Sequence, residues 1–368
     1  MKIFLVAAAR PNFMKIAPIV RALQCHIHNN LEWRIVHTGQ HYDHTMSQAF
    51  FIDLGIPEPD RFLDAGSGTH ATQTAKVMVA FEEICIKDKP DLVVVVGDVN
   101  STLACSIVAK KLNIDVAHVE AGLRSFDMTM PEEINRIVTD SITDYFFTTE
   151  KTANENLLNE GKPFDKIHFV GNVMIDNLLY QKEQLESIDP NSFSTSIFKT
   201  QLDQFIFLTL HRPATVDNRE KMSDIIIALN KIAKEIPIVF PVHPRTKKMI
   251  LAFGLELSDK ILQLPPLSYK ESLFWWKDAL FVMTDSGGLQ EETTALGIPC
   301  YTIRDNTERP ITKTEGTNTI IGTSGSAIYK SYQEFKSGKI KNGKIPELWD
   351  GKAAERIVSV LINSLLHI

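Results

Sequence analysis

The chain has 368 residues, enough for two domains of ordinary size with a core in each. Hydrophobic residues make up 44% and charged residues 23%, close to the averages of globular domains, which excludes a disordered or fibrous protein. The net charge is -6, with no dense Lys/Arg tract beyond the scattered lysines between Lys330 and Lys344, so nucleic acid is not an expected partner.

The first segment, "MKIFLVAAAR", has the outline of a secretory leader, since Lys2 precedes seven apolar residues. Such leaders have apolar cores of about 7 to 15 residues, and a buried first strand is the better reading of so short a run. Further apolar runs follow between stretches of helical periodicity: "DLVVVVGD", "DVAHVE" and "DYFFTT", then "FIFLTL", "IVFPVH", "LFVMTD" and "PCYTI". Runs without polar alternation fit strands buried on both faces, hence parallel sheets covered by helices. The fold class is α/β.

The motif "HFVGNVMIDNL" closes the first series, and the polar stretch "EQLESIDPNSFSTSIFKTQ" separates it from the second, which puts a domain boundary near residue 177. The last segment, "GKAAERIVSVLINSLL", has an apolar stripe at helical spacing that must be buried against one of the domains. No run approaches the ~18 apolar residues that span a bilayer, so no membrane is expected. Cys25, Cys85, Cys105 and Cys300 lack the paired spacing of a zinc or redox motif and read as reduced thiols of a cytoplasmic protein.

Two α/β domains in series leave a cleft, and ligands of such sheets bind outside the carboxyl ends of the strands. The notable polar residues fall just after the apolar runs. Arg10 and Lys15 follow the first, as cations aimed at a diphosphate or as a solvated helix start. Asp98 in "GDVNST" and Glu120 in "HVEAG" end the next two; crowded carboxylates raise one another's pKa, which suits an acid or base near neutral pH. Glu132, Glu133 and Arg136 lie in "MPEEINR", and for Glu133 a helix-start charge pattern with Arg136 is the preferred reading.

In the second half, His211 in "LTLHRPATVD" and His243 in "PVHPRT" end strands, either as imidazoles assisting a leaving diphosphate or as structural histidines. "TDSGGLQEETTALG" reads as strand, glycine turn and helix start. Ser286, Gly287 and Gly288 there form either an anion site or a capped tight turn, with Glu292 about one turn on and placed to bond a ribose diol. Arg309 in "RDNTERP" sits near another strand end. "GSGTHA" only loosely matches a dinucleotide fingerprint and reads as a loop.

Together "RPNFMK", "HTGQHYD", "GDVNST", "HVEAGLRS", "MPEEINR", "GNVMID", "LHRP", "PVHPRT", "DSGGLQEE", "RDNTERP" and "GTN" resemble the non-hydrolysing UDP-N-acetylglucosamine 2-epimerases, in family order to about residue 320. The resemblance implies a glycosyltransferase-B-like architecture of two Rossmann-like domains facing across a cleft. The first would be 1–177 joined by a C-terminal helix, 351–368; the second, 178–350, would bind UDP. It further implies interconversion of UDP-GlcNAc and UDP-ManNAc by elimination and re-addition of UDP, serving cell-surface polysaccharide, in a homodimer without nicotinamide or catalytic metal.

Carried over residue by residue, Asp98, Glu120 and Glu132 match the family's catalytic acids and His211 the histidine near the diphosphate. Arg10, Lys15, Ser286, Gly287, Gly288, Glu292 and Arg309 match nucleotide-binding positions, and Arg136 is grouped with them on the substrate side. Gln40, His41 and His243 match residues of an allosteric activator site, although "GSGTHA" offers no matching arginine. Ser272 stands where the family usually has a phenylalanine near the uracil, and "HRPATVD" departs from the common surroundings of the histidine. Related 2-epimerases of modified UDP-hexosamines, and hydrolysing enzymes that release ManNAc, share these motifs.

Overall fold

The computed structural model describes residues 1–26, 31–39 and 48–365. The chain forms two compact units, Met1–Asn177 with Glu347–Ile368, and Leu178–Pro346.

The first unit is built on seven parallel strands: β1 (Lys2–Ala7), β2 (Glu32–His37), β3 (Arg61–Phe62), β4 (Leu92–Val96), β5 (Asp115–Val119), β6 (Tyr145–Thr148) and β7 (Ile167–Phe169), in the order β3-β2-β1-β4-β5-β6-β7. Both faces of its centre are buried, as the unbroken apolar runs require. Ile3, Leu5 and Ala7 join one core with Leu92, Val94 and Val96, whereas Phe4 and Val6 join a second core with Val93 and Val95. This is the period-two alternation of a strand with helices on both sides.

Strands β2, β3 and β7 escaped the pattern of apolar runs because they lie toward the sheet margins. There polar residues such as Glu32 and Arg34 remain partly exposed, and a strand can be as short as two residues. "GSGTHA" is a loop that runs into the helix His70–Asp88.

The C-terminal helix Ala353–Leu365 buries Ala353, Ala354, Ile357, Val358 and Leu361 in the first core, beside the helix Arg10–Cys25. The chain leading into it is held at several points. Trp349 Nε1 donates to the Thr149 carbonyl at 3.3 Å, Arg356 Nη1 to the Val170 carbonyl at 2.9 Å, and the Asp176 carboxylate accepts the Ala353 and Ala354 amides at 3.1 and 2.7 Å. Those amides would lower the Asp176 pKa, but burial outweighs them and pushes it up to about 6.

The second unit repeats the logic with six parallel strands: β8 (Ile206–Thr209), β9 (Ile238–Pro241), β10 (Ile261–Leu264), β11 (Phe281–Thr284), β12 (Cys300–Thr302) and β13 (Asn318–Ile320). Their order, β10-β9-β8-β11-β12-β13, is the doubly wound one, with a reversal between β8 and β11. Cys85, Cys105 and Cys300 are buried and Cys25 is exposed, and all four are free thiols. Burial pushes Cys85 up to about 12 and Cys300 up to about 11. Among the described residues, no helix is long and apolar enough to cross a membrane.

Gly171 tests the seating of the returning chain. Its φ of +93° is left-handed, and a Cβ there would overlap the Leu348 carbonyl oxygen. Gly161 has a φ of +78° but open space around it. Gly161→Ala should therefore lose only the backbone term of about 1 kcal/mol, and Gly171→Ala about 2 to 3 kcal/mol or more. Urea unfolding of the two variants measures the difference.

Candidate functional site

In the first sheet the strand order reverses between β1 and β4, so the loops after those strands diverge and leave room for a ligand beside their carboxyl ends. The loop after β1 enters the helix Arg10–Cys25. Its Asn12 accepts the Ala9 amide and donates to the Val96 carbonyl at the end of β4, each at 3.2 Å. This pins the helix start to the neighbouring strand.

From that helix Lys15 reaches across to Glu120, with Nζ 2.5 Å from Oε2 and both side chains nearly out of solvent. Gly97 makes the passage possible: a Cβ at this position would stand 2.7 Å from Lys15 Nζ. Glu120 itself has a φ of +71°, an unusual conformation for a residue with a side chain.

Asp98, one residue beyond Gly97, pairs with Arg136 Nη1 at 2.5 Å and remains partly open to solvent. Arg136 comes from the helix Pro131–Ile142 and also pairs with Glu133 at 2.9 Å. Glu133 is buried and accepts the Ser125 and Phe126 amides at 2.9 to 3.0 Å. Burial would raise its pKa, but the two amides and Arg136 prevail and hold it below the usual range. The charge pattern read for Glu133 and Arg136 thus takes the form of a buried anchor for the loop after β5.

Glu132 differs from its neighbour. It is exposed in the first turn of the helix and forms no ion pair with the described residues. Arg10 is exposed at its helix start, with the guanidinium 5.1 Å from the centre of the Phe50 ring. The first unit therefore gathers Lys15 with Glu120, and Asp98 with Arg136 and Glu133, while Arg10 and Glu132 stand at its surface. Lys15, expected among nucleotide contacts, is engaged with Glu120. Gln40 and His41 lie outside the described residues.

In the second sheet, the reversal brings the ends of β8 and β11 side by side. Asp285, fully buried after β11, accepts the backbone amides of His211 and Arg212 at 2.8 Å each, and its other oxygen lies 2.9 Å from His211 Nδ1. That distance sets the imidazole directly against the buried carboxylate. His243 caps the helix Pro244–Phe253 by accepting the Arg245 amide at Nδ1, and its ring is 5.9 Å from that of His211. Burial, with the neighbouring His211, lowers the His243 pKa.

Ser286 occupies the N-cap of the helix Gly287–Ala295, but its side chain makes no capping bond. The helix start is crossed instead by Glu308, whose Oε1 would lie 2.6 Å from a Cβ on Gly287. Glu308 pairs with Arg212 at 2.8 Å and Arg304 at 2.7 Å. Burial would raise its pKa, yet the arginines hold it down at about 2. Arg309 is paired with Glu291 at 3.1 Å.

Glu292, buried in the same helix, accepts the Tyr269 hydroxyl at 2.8 Å, and burial pushes its carboxyl up to about 7. Reading the sequence did not single out Tyr269, Glu308, His118 or Asp140. Tyr269, His118 and Glu308 meet Glu292, Asp140 and Arg212 across 23, 22 and 96 residues, which local spacing does not signal; only the Arg304–Glu308 pair, four residues apart, was open to a local reading.

Glu292 binds its proton more tightly in the folded chain than in the unfolded one, where its pKa is 4.5. Its contribution to stability is therefore fully present below about pH 4.5 and is lost as the pH rises through about 7. That is a loss on the order of 3 kcal/mol at most. Glu292→Gln should flatten the fall in unfolding free energy between pH 5 and pH 8, which denaturant titrations at several pH values would measure.

A family profile described as UDP-N-acetylglucosamine 2-epimerase matches residues 23–362. The UDP-N-acetylglucosamine 2-epimerase of Methanocaldococcus jannaschii is 43% identical, with 98% of this chain and 99% of the relative covered. The UDP-2,3-diacetamido-2,3-dideoxy-D-glucuronate 2-epimerase of Pseudomonas aeruginosa is 40% identical, over 98% of this chain and 99% of its own length. The crystal structure of the M. jannaschii UDP-GlcNAc 2-epimerase with UDP-GlcNAc and UDP covers 99% of this chain and 100% of its own, at 42% identity and a TM-score of 0.86. With two Rossmann-like units of the glycosyltransferase-B-like class and a match over nearly its whole length, this chain belongs to the UDP-N-acetylglucosamine 2-epimerase family.

Proposed function

We propose that this chain interconverts UDP-GlcNAc and UDP-ManNAc by inverting C2 of the sugar. The observation that carries this reading is the pair Asp98 and Glu120, on neighbouring strand ends, each matched with its own cation. The C2–H bond of a UDP-hexosamine has no adjacent carbonyl, so removing that proton alone is prohibitive. Elimination solves the problem: a base takes the C2 proton, the electron pair forms the C1–C2 double bond, and the C1–O bond breaks with UDP as leaving group. Re-addition of UDP to C1, with protonation of C2 on the opposite face, gives the epimer.

In this reading Asp98 and Glu120 carry the proton at C2 and stabilise positive charge on the ring. Glu132, exposed and unpaired among the described residues, is the third acid. His211, oriented by Asp285, stabilises the charge on the departing diphosphate, and Arg10 contributes to its binding. The uncapped start of the helix Gly287–Ala295 offers backbone donors to phosphate, Arg309 is a nucleotide contact, and Glu292 bonds the ribose. The engagement of Lys15 with Glu120 supports a role in setting the acid in addition to meeting phosphate, and Arg136 does the same for Asp98. His243, beside His211, is the described member of the activator set.

The relative acting on a diacetamido-glucuronate, at 40% identity, keeps a modified UDP-hexosamine as the second reading of the substrate. Proton NMR of the protein with UDP-GlcNAc in deuterated water separates the cases. Deuterium at C2 with a UDP-ManNAc signal is expected; no exchange, but turnover of a UDP-diacetamido-uronate, would move the substrate to that class; free ManNAc and UDP would make the enzyme hydrolysing. Asp98→Asn and Glu120→Gln should each lower kcat by about 10² to 10⁴ while leaving UDP affinity little changed. Normal turnover in both, measured by the same assay, would sink the assignment of the acids.

A further inference from the structure

We infer that His118, together with Asp140, is a positioning residue that holds Asp98 and Glu120 in register; this rests on the reading of those two as the acids. His118 lies on β5, two residues before Glu120, and is fully buried. Its Nε2 is 2.8 Å from the Gly97 carbonyl, the peptide group that leads directly into Asp98. Its Nδ1 is 2.6 Å from Asp140 Oδ1, and Asp140 Oδ2 accepts the Gly122 amide at 3.0 Å, two residues beyond Glu120. One imidazole and one carboxylate therefore bridge the two loops that present the acids.

Both ring nitrogens face oxygen atoms, the Asp140 carboxylate at one end and the Gly97 carbonyl at the other. Arg124 closes the cluster with Nη2 2.8 Å from Asp140 Oδ2, and its side chain too is nearly inaccessible. Burial would raise the Asp140 pKa, but His118, Arg124 and the Gly122 amide hold it below the usual range. If packing alone mattered, apolar side chains would fill this volume without desolvating charges, an exchange that is often neutral or favourable. The polar cluster supplies something packing does not: a fixed direction for the Gly97 and Gly122 peptide groups, and through them for the acids.

Substitutions at His118 can divide the bridge. His118→Gln keeps an amide that reaches toward Gly97 and gives up Asp140, whereas His118→Asn keeps a donor toward Asp140 and gives up Gly97. In steady-state epimerisation of UDP-GlcNAc by the full chain, each should lose about 10- to 100-fold in kcat, with KM and the UDP Kd little changed. Wild-type kcat in both, or losses in KM and Kd as large as that in kcat, would overturn the inference. Asp140→Asn, read by the same split, substitutes for either variant that fails to fold. Asp98→Asn and Glu120→Gln run in parallel separate the two ideas: if they are active the reading of the acids fails, and if they are inactive while the His118 variants are normal only the positioning role fails.

Discussion

The buried ion pair between Lys15 and Glu120 is the constraint around which the first unit is arranged. Two charges placed 2.5 Å apart with little access to water lose several kcal/mol each in hydration, and only close geometry with further partners offsets this. The surrounding backbone is shaped to that end. Gly97 leaves room for the ammonium group, Glu120 takes a left-handed φ, and Asn12 locks the lysine-bearing helix to β4. Strain of this kind persists only where neighbouring structure over-determines it, and it clusters at sites that do chemistry.

The second unit meets the same problem with different groups. Asp285 is fully buried; two backbone amides satisfy one of its oxygens, and the other lies 2.9 Å from His211 Nδ1. Glu308 lies between Arg212 and Arg304 and stays ionised, whereas Glu292, with a phenol as partner, holds its proton up to about pH 7. Two carboxylates near one helix thus differ in charge state because one faces guanidinium groups and the other a neutral hydroxyl.

The parallel sheets explain why these polar groups collect where they do. Strands buried on both faces exclude charge along their length, so the first place a carboxylate or imidazole can stand is just past the carboxyl end. At the reversals of strand order, β1 beside β4 and β8 beside β11, the loops separate and residues from distant parts of the chain converge. His118 is one buried imidazole that does stand within a strand, and it is satisfied at both nitrogens.

The central strands were legible in the chain because continuous apolar runs such as "LVVVV" have few alternatives, and Asp98, Glu120 and His211 stood out because polar residues follow those runs directly. The marginal strands were not, since an edge needs only one covered side and tolerates Glu32, Arg34 or a two-residue length. Which charges meet was decided only by the tertiary structure. Lys15 and Glu120 are 105 residues apart, Asp98 and Arg136 are 38 apart, and His211 and Asp285 are joined by a strand order that local spacing does not encode. Sequence determines which residues end a buried strand; the folded sheet determines which strand ends are neighbours, and so which carboxylate receives a cation, an amide or a phenol.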